Sequence, residues 1–141
     1  QWDTNKMQAV NEEALRLYNS WENDVMVEEY CTEDAEVVIT AYGISGRIAK
    51  SVVEMMRAEG KKVGLIRPIT VHPFPKASFE KLDYGTCRAI LDVEMSIPAQ
   101  LAEDVDHAVR GRCPIETCLC SGGNIMSREA VVEAVEKLLN R

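Results

Sequence analysis

Short apolar runs recur along the chain, and each is followed by glycine or proline and then by apolar residues at helical spacing. Residues 37–39, Val-Val-Ile, form a run without polar interruption, as expected of a strand that is buried on both faces. The run is followed by Gly43 and Gly46, and apolar residues then recur at intervals of three and four from Ile48 to Met56. A strand, a glycine turn and an amphipathic helix make half of a βαβ unit.

The same alternation continues to the end of the chain. Three further strands are predicted at residues 63–66, 89–93 and 115–120. Three further helices are predicted: a short one that carries Phe79 and Leu82, one that Pro98 opens and Gly111 ends, and one that Ser127 caps. Four strands that alternate with four helices predict a three-layer α/β/α fold, with a mainly parallel sheet and helices on both faces.

An N-terminal helix is predicted from about residue 4 to residue 23, ahead of this alternation. One apolar stripe runs along it, formed by Met7, Val10, Ala14, Leu17 and Trp21. The stripe indicates either a helix that packs on its own domain, which we expect, or an arm that docks on another domain or protomer.

An acidic stretch follows this helix, and we predict that it is a solvated connector. Its acidic residues are Glu28, Glu29, Glu33, Asp34 and Glu36. We therefore divide the chain into an N-terminal helical arm with an acidic connector, residues 1–35, and an α/β domain, residues 36–141.

Size and charge narrow the class of protein. With 141 residues, of which 46% are hydrophobic, the chain can form one compact globular domain plus an extension. Its net charge of −7 argues against binding to nucleic acid or to an anionic membrane, and no apolar run reaches the roughly 20 residues of a membrane span. The chain begins with Gln1 rather than methionine, so we expect a cytoplasmic piece of a longer protein.

Candidate chemistry is expected where parallel strands end, because ligands and partners of such sheets meet the loops at the carboxyl ends of the strands. These loops are residues 42–47, 67–75, 94–98 and 121–124. They supply the candidate interface or anion contacts Gly43, Ser45, Gly46, Arg47, Arg67, Thr70, His72, Glu94 and Asn124. The two glycines before a helix are compatible with an anion held on free amides, but we expect an ordinary tight turn.

Known catalytic signatures do not match these loops. Residues 43–46, Gly-Ile-Ser-Gly, lack the third glycine of a dinucleotide fingerprint and the spacer of a nucleophile elbow. His72 and His107 are conceivable bases, but His107 lies inside a predicted helix beside Asp104 and Asp106. We therefore expect no catalytic triad and assign no catalytic residue.

The cysteines are odd in number, which argues against a disulfide framework in a cytoplasmic domain. They are Cys31, Cys87, Cys113, Cys118 and Cys120. The last three cluster in sequence, but three thiols without a fourth ligand nearby make a poor zinc or iron–sulfur site. We expect small buried apolar side chains and no metal.

Five motifs occur in one order and spacing: residues 36–43, 62–70, 73–75, 92–96 and 122–123. From about residue 30 onward, the chain resembles the C-terminal domain of the α subunit of a 2-oxoacid:ferredoxin oxidoreductase, of the 2-oxoglutarate or branched-chain 2-ketoisovalerate type. The block Leu-Ile-Arg-Pro-Ile-Thr with Pro-Phe-Pro is the most specific part. Residues 98–100, Pro-Ala-Gln, depart from the usual family pattern and lengthen their loop by one residue.

The resemblance implies a transketolase C-terminal-like fold and a parent enzyme that oxidatively decarboxylates a 2-oxoacid to an acyl-coenzyme A. It also implies thiamine diphosphate, magnesium, iron–sulfur clusters and coenzyme A in the parent complex. The implied partners are the remainder of the α subunit, a thiamine-binding β subunit and a ferredoxin-like subunit, in an oligomer.

The diphosphate–magnesium motif and the ferredoxin-like cysteine runs of this family are absent from the sequence. We therefore expect a structural and assembly domain that binds no cofactor itself and is inactive in isolation. The alternative is an independent flavodoxin-like module that binds an anion or a nucleotide near residues 43–47.

Overall fold

The computed structural model describes residues 3–141; Gln1, on which the expectation of a longer protein depends, lies outside them. Five strands form one sheet: β1 Val27–Tyr30, β2 Val37–Thr40, β3 Val63–Pro68, β4 Ala89–Glu94 and β5 Ile115–Leu119. The helices are α1 Thr4–Ser20, α2 Gly43–Ala58, α3 Lys76–Glu80, α4 Ala102–Val109 and α5 Arg128–Leu139. The strand order is β1-β3-β2-β4-β5, and only β1 runs antiparallel to its neighbour.

The sheet is buried on both faces, as the uninterrupted apolar runs predict. Val37 and Ile39 of β2 face the cluster that contains α2 and α5, whereas Val38 faces the cluster that contains α3 and α4. All four residues of β2 are buried, because successive side chains of a strand point to opposite faces and both faces carry helices. The predicted three-layer α/β/α fold with a mainly parallel sheet is therefore confirmed.

The acidic stretch contains a strand that the sequence pattern did not indicate. Val27–Tyr30 forms β1, which pairs with β3 in the register Val27↔Pro68 to Tyr30↔Leu65. The prediction of a solvated connector is wrong for these four residues, all of which are half-buried. The proposed boundary at residue 35 stays a prediction.

Opposite charges from distant elements hold this acidic strand at the sheet edge. Glu28 is ion-paired with Lys50 of α2 and with Arg67 of β3, whose Nη1 donates to Glu28 Oε2 at 3.2 Å. The hydrogen bond from Lys50 is the main reason why the pKa of Glu28 lies below its ordinary value. Glu29 is paired in the same way with Lys81, at 2.6 Å. The acidic stretch therefore forms a strand because basic residues from distant parts of the chain neutralise its charges.

Two predicted helix starts differ from the observed ones. Helix α2 begins at Gly43, so Gly46 lies inside its first turn and donates its N–H to Tyr42 O at 3.1 Å. Helix α4 begins at Ala102 rather than at Pro98, because the Glu94 carboxylate binds the preceding backbone amides and holds them in a turn. The cap at Ser127 is confirmed, since its hydroxyl accepts a hydrogen bond from the Ala130 amide.

Helix α1 is confirmed but does not pack on its own domain. Asp3 caps it by accepting hydrogen bonds from Asn5 N and Lys6 N, and a separate 3₁₀ turn, Trp21–Asp24, follows it. None of its residues is buried, and Leu17 of the apolar stripe is 52% exposed. The expectation of self-packing is therefore wrong, because no other element of the described chain covers the stripe.

The root of this arm does contact the domain. The Tyr18 and Trp21 rings lie with their centroids 5.3 Å and 5.9 Å from the His72 ring, and Glu22 is ion-paired with Lys76 at 2.8 Å.

The described helices include none that is long and apolar enough to cross a membrane.

Gly64 on β3 has no room for a side chain. A Cβ there would lie 2.6 Å from the Cys31 carbonyl oxygen and 3.0 Å from the Ala35 Cβ. We predict that Gly64→Ala lowers the free energy of unfolding by about 1–3 kcal/mol, because the backbone around Cys31 must shift. Urea denaturation followed by circular dichroism measures this loss.

The control is Gly85→Ala, whose new Cβ would meet the movable Asp83 carboxylate at 3.1 Å. We expect a smaller loss for this variant. Equal losses for the two variants would contradict the close approach of strand and turn as the cause.

Candidate functional site

The carboxyl ends of β2, β3, β4 and β5 lie at one edge of the sheet and carry the four loops that the sequence indicated. The connection that leaves β2 leads to β3 on one side, and the connection that leaves β3 leads to β4 on the other. The strand order therefore reverses between β2 and β4, which is where ligands of open α/β sheets usually bind.

Glu94, at the end of β4, organises the interior of this edge. Its carboxylate accepts hydrogen bonds from Ser96 Oγ at 2.8 Å, from Gln100 N at 2.9 Å and from Leu101 N at 2.6 Å. The side chain is 1% exposed. Glu94 therefore satisfies the backbone of its own loop and is not accessible to a partner or an anion.

Asp92 lies two residues earlier on the same face of β4 and is fully buried. None of the described residues donates a hydrogen bond to its carboxyl oxygens. Burial, followed by the adjacent Glu94, raises the pKa of Asp92 to about 8. At neutral pH Asp92 is therefore protonated, and its proton is shared with the Glu94 carboxylate.

The pKa of Glu94 moves in the opposite direction. Burial raises it, but the hydrogen bonds from Asp92, from the Gln100 and Leu101 amides and from Ser96 together lower it below its ordinary value. The two carboxyl groups therefore hold one negative charge, and that charge lies on the residue with more donors.

The glycine turn after β2 packs tightly. Gly46 faces Arg67, and a Cβ at residue 46 would lie 2.7 Å from Arg67 Nε. Ser45 is buried, whereas Gly43 and Arg47 are exposed. Gly46 is thus required by the close approach of a side chain, and the arrangement favours turn and packing geometry over an anion site.

The remaining candidate residues make local contacts. Thr70 Oγ1 accepts a hydrogen bond from Met26 N at 2.9 Å and so fixes the chain that enters β1. His72 packs against the root of the arm, and the exposed Asn124 donates from Nδ2 to Ser121 O at 2.9 Å. The nine candidate residues are therefore distributed over four loops and do not line one pocket.

A small cleft lies beside the root of the arm. It has a volume of about 240 Å³, and both His72 and His107 line it, together with Glu80. This volume is below that of usual small-molecule pockets, about 300–1,000 Å³. Glu80 is ion-paired with Arg110 at 3.7 Å, so its carboxylate is not free to act together with either histidine.

Sequence reasoning missed an apolar surface on the same loops. Three of the four loops expose at least one large apolar side chain, and Ile125 directly follows the fourth; Ile97 and Ile125 are 63% and 77% exposed. We call this set the carboxyl-edge surface: Ile44, Ile69, Val71, Met95, Ile97 and Ile125. In the sequence, this surface is indicated by an aliphatic residue in or next to each otherwise polar turn. Clusters of exposed apolar side chains mark interaction sites in soluble proteins.

Comparison with known proteins identifies relatives of the chain. Residues 35–131 match the family model described as pyruvate:ferredoxin oxidoreductase core domain II. The chain is 46% identical over 117 residues to ketoisovalerate oxidoreductase subunit VorB of Methanothermobacter thermautotrophicus, a match that covers 83% of this chain and 32% of that protein. The chain therefore spans about a third of the length of the curated relatives that it matches.

Solved structures agree on the fold. The chain is similar to 2-oxoglutarate:ferredoxin oxidoreductase from Magnetococcus marinus, with a TM-score of 0.81 at 20% identity over 99% of this chain and 24% of that one. It is also similar to a split-gene transketolase, with a TM-score of 0.67 at 20% identity over 82% of this chain and 41% of that one. The resemblance in sequence motifs and the transketolase-like fold that it implies are thus confirmed.

Asp92 makes the stability of the domain depend on pH. Its folded-state pKa of about 8 lies above the ordinary value of 3.8, so its contribution to stability is full below about pH 4 and is lost as the pH rises through about 8. We predict that Asp92→Asn, which keeps a hydrogen-bond donor near Glu94, flattens this pH dependence and makes the variant more stable than the parent at about pH 9. Urea denaturation across the pH range measures the effect.

Asp106→Asn, at an exposed position of α4, is the matched control and should leave the pH profile unchanged. If Asp92→Asn gave a profile parallel to that of the parent, the assignment of the shared proton to Asp92 would be wrong.

Proposed function

The chain belongs to the pyruvate:ferredoxin oxidoreductase core domain II family, and from that premise we propose that it is a structural and assembly domain in the α subunit of a thiamine-diphosphate-dependent 2-oxoacid:ferredoxin oxidoreductase. The parent enzyme would convert a 2-oxoacid to an acyl-coenzyme A and pass the electrons to ferredoxin. The domain would position neighbouring parts of the complex and would contain no complete active site.

The carboxyl-edge surface is the observation that carries this proposal. At the edge where ligands of such folds usually bind, Asp92 and Glu94 lie in the interior, and six large apolar side chains are exposed together with Arg47. Glu94 is occupied by its own loop. Such an edge suits contact with another apolar protein surface better than binding of a charged cofactor.

The arm supplies a second contact element. The stripe on α1 is uncovered by the described chain, while Tyr18, Trp21 and Glu22 attach the root of the helix to the domain. A helix with an exposed apolar stripe is an efficient docking element because its side chains at three- and four-residue spacing enter a single groove. We propose that α1 docks on another part of the complex, while β1 stays in the sheet of the domain.

The cofactors of the parent reaction do not fit the donor groups of this chain. Among residues 3–141, no cluster of three histidine, cysteine or acidic side chains is placed to bind a metal ion. Iron–sulfur clusters require several cysteines around one centre, and here the cysteines are divided between the two ends of the sheet. We propose that thiamine diphosphate, magnesium, the clusters and coenzyme A are bound by the rest of the α subunit, a thiamine-binding β subunit and a ferredoxin-like subunit, in a cytoplasmic complex.

The alternative, an independent flavodoxin-like module for an anion or a nucleotide, is not favoured. Its expected site was the turn at residues 43–47, where Ser45 is buried and Gly46 is packed against Arg67. Arg67 itself is paired with Glu28, so its charge is already compensated.

The absence of a complete active site is testable by calorimetry. We predict that the purified chain shows no stoichiometric heat when titrated with thiamine diphosphate and magnesium, and none with coenzyme A, because Glu94 is buried, Arg67 is paired with Glu28 and the described residues form no metal-binding cluster. A binding isotherm with one thiamine diphosphate per chain would contradict the assembly role. The far-ultraviolet circular dichroism spectrum of the same sample verifies that the chain is folded.

The assembly role predicts the effect of a charge on the carboxyl-edge surface. Ile97→Glu, introduced into the complete subunit and co-expressed with its partner subunits, should weaken association by about tenfold or more, because the carboxylate must be desolvated in an apolar contact. Analytical ultracentrifugation of the purified complex measures the loss.

Met55→Glu is the control, since Met55 is also an exposed apolar residue but lies near the other end of α2. We expect this variant to assemble normally. Unchanged assembly of Ile97→Glu, or equal losses for both variants, would exclude the carboxyl-edge surface as the contact.

A further inference from the structure

The cysteines are grouped in space differently from their order in sequence. Cys113 immediately precedes β5, whereas Cys118 lies near its end and Cys120 follows it. Cys118 and Cys120 pack against the cluster of α2 and α5, while Cys113 packs against the cluster of α3 and α4, which includes the buried Cys87. The three cysteines that are close in sequence therefore do not form one cluster.

Cys113 has Cys87 as its neighbour. Strands β4 and β5 pair with Ile90 opposite Ile115, and Ile90 N donates to Pro114 O at 3.0 Å, so Cys113 lies beside the turn that carries Cys87. This register, continued by two residues, places Cys113 opposite Arg88, the residue that follows Cys87. Both side chains pack into the same apolar cluster between the sheet and helices α3 and α4.

A fixed positive charge lies next to this pair. Arg112 donates from Nε to Val109 O at 2.7 Å and from Nη2 to Ala108 O at 2.8 Å. Its guanidinium lies 4.5 Å from the centre of the Tyr84 ring. These contacts hold the charge beside Cys113, and a neighbouring cation favours the thiolate form of a cysteine.

The two thiols are chemically unequal. The hydrogen bond from Cys87, supported by the charge of Arg112, lowers the pKa of Cys113. Contact with Cys113, followed by burial, raises the pKa of Cys87. Cys113 is half-buried and reachable from solvent, whereas Cys87 is buried. This division is that of an attacking thiolate and a resolving thiol.

We propose that Cys87 and Cys113 form a redox-active dithiol that a hydroperoxide oxidises to a disulfide. The Cys113 thiolate attacks hydrogen peroxide, the O–O bond breaks, and a Cys113 sulfenic acid and hydroxide form. The Cys87 sulfur then attacks the Cys113 sulfur, the S–O bond breaks, and the S–S bond forms with release of water. Two thiols thereby lose two electrons and peroxide is reduced to two molecules of water.

The location gives the disulfide a structural effect. Cys87 precedes β4 and Cys113 precedes β5, so the bond would cross-link the edge strand β5 to the interior of the sheet. Both residues lie at the amino edge of the sheet, opposite the carboxyl-edge surface. The dithiol thus lies apart from that surface, and its oxidation does not depend on the proposed assembly role.

Peptide mapping after oxidation tests the proposal. The reduced chain is treated with hydrogen peroxide, blocked with iodoacetamide and digested with trypsin and the Glu-specific protease, which release Cys87 within residues 82–88 and Cys113 within residues 113–116. We expect these two peptides to be joined, with a mass about 2 Da below their sum. The specific cleavage after Glu116 separates Cys113 from Cys118 and Cys120.

Cys113→Ser, a conservative change at a half-buried position, should abolish the joined peptide. Cys87→Ser should leave a Cys113 sulfenic acid that dimedone traps. Cys120→Ser is the matched control and should retain the joined peptide. Recovery of both peptides alkylated and unlinked, or a disulfide between Cys118 and Cys120 in their place, would overturn the proposal.

Discussion

Glu94 is the residue on which the carboxyl edge depends. A loop that leaves a buried strand carries backbone N–H groups that must find acceptors, and an unpaired buried donor costs about 1–3 kcal/mol. The Glu94 carboxylate accepts hydrogen bonds from the Gln100 and Leu101 amides and from the protonated Asp92 carboxyl. The polar groups of the edge are thereby used inside the domain, and the aliphatic residues of the same loops face outward.

Electrostatic interactions also determine how the sheet ends at its lateral edge, strand β1. Strand β1 is acidic, yet it pairs with β3 because Lys50, Arg67 and Lys81 neutralise Glu28 and Glu29. These basic residues come from α2, from β3 and from the residue after α3. An edge strand that carries charged side chains also resists uncontrolled pairing with other chains. The ion pairs thus close the sheet at β1, away from the carboxyl-edge surface that we propose as a contact.

This distribution suits a domain that works inside a larger enzyme. In related sheets the ligand sites lie at the carboxyl edge. Here the side chains of Asp92 and Glu94 are buried at that edge, and aliphatic side chains are exposed around them. Membership of the pyruvate:ferredoxin oxidoreductase core domain II family is consistent with a domain that supports catalysis carried out by its neighbours. The proposed dithiol, Cys87 and Cys113, lies at the amino edge and so does not overlap with the proposed contact surface.

The sequence by itself determined the four parallel strands, the helices between them and the family, because apolar periodicity and local motifs report which faces are buried. Only the tertiary structure decided the role of the acidic residues of β1, the burial of Glu94, the exposure of α1 and the placement of Cys113 and Cys87 in one cluster. Each of these depends on a partner that is distant in sequence, such as Arg67 for Glu28, and composition does not show which charge or thiol will be its neighbour.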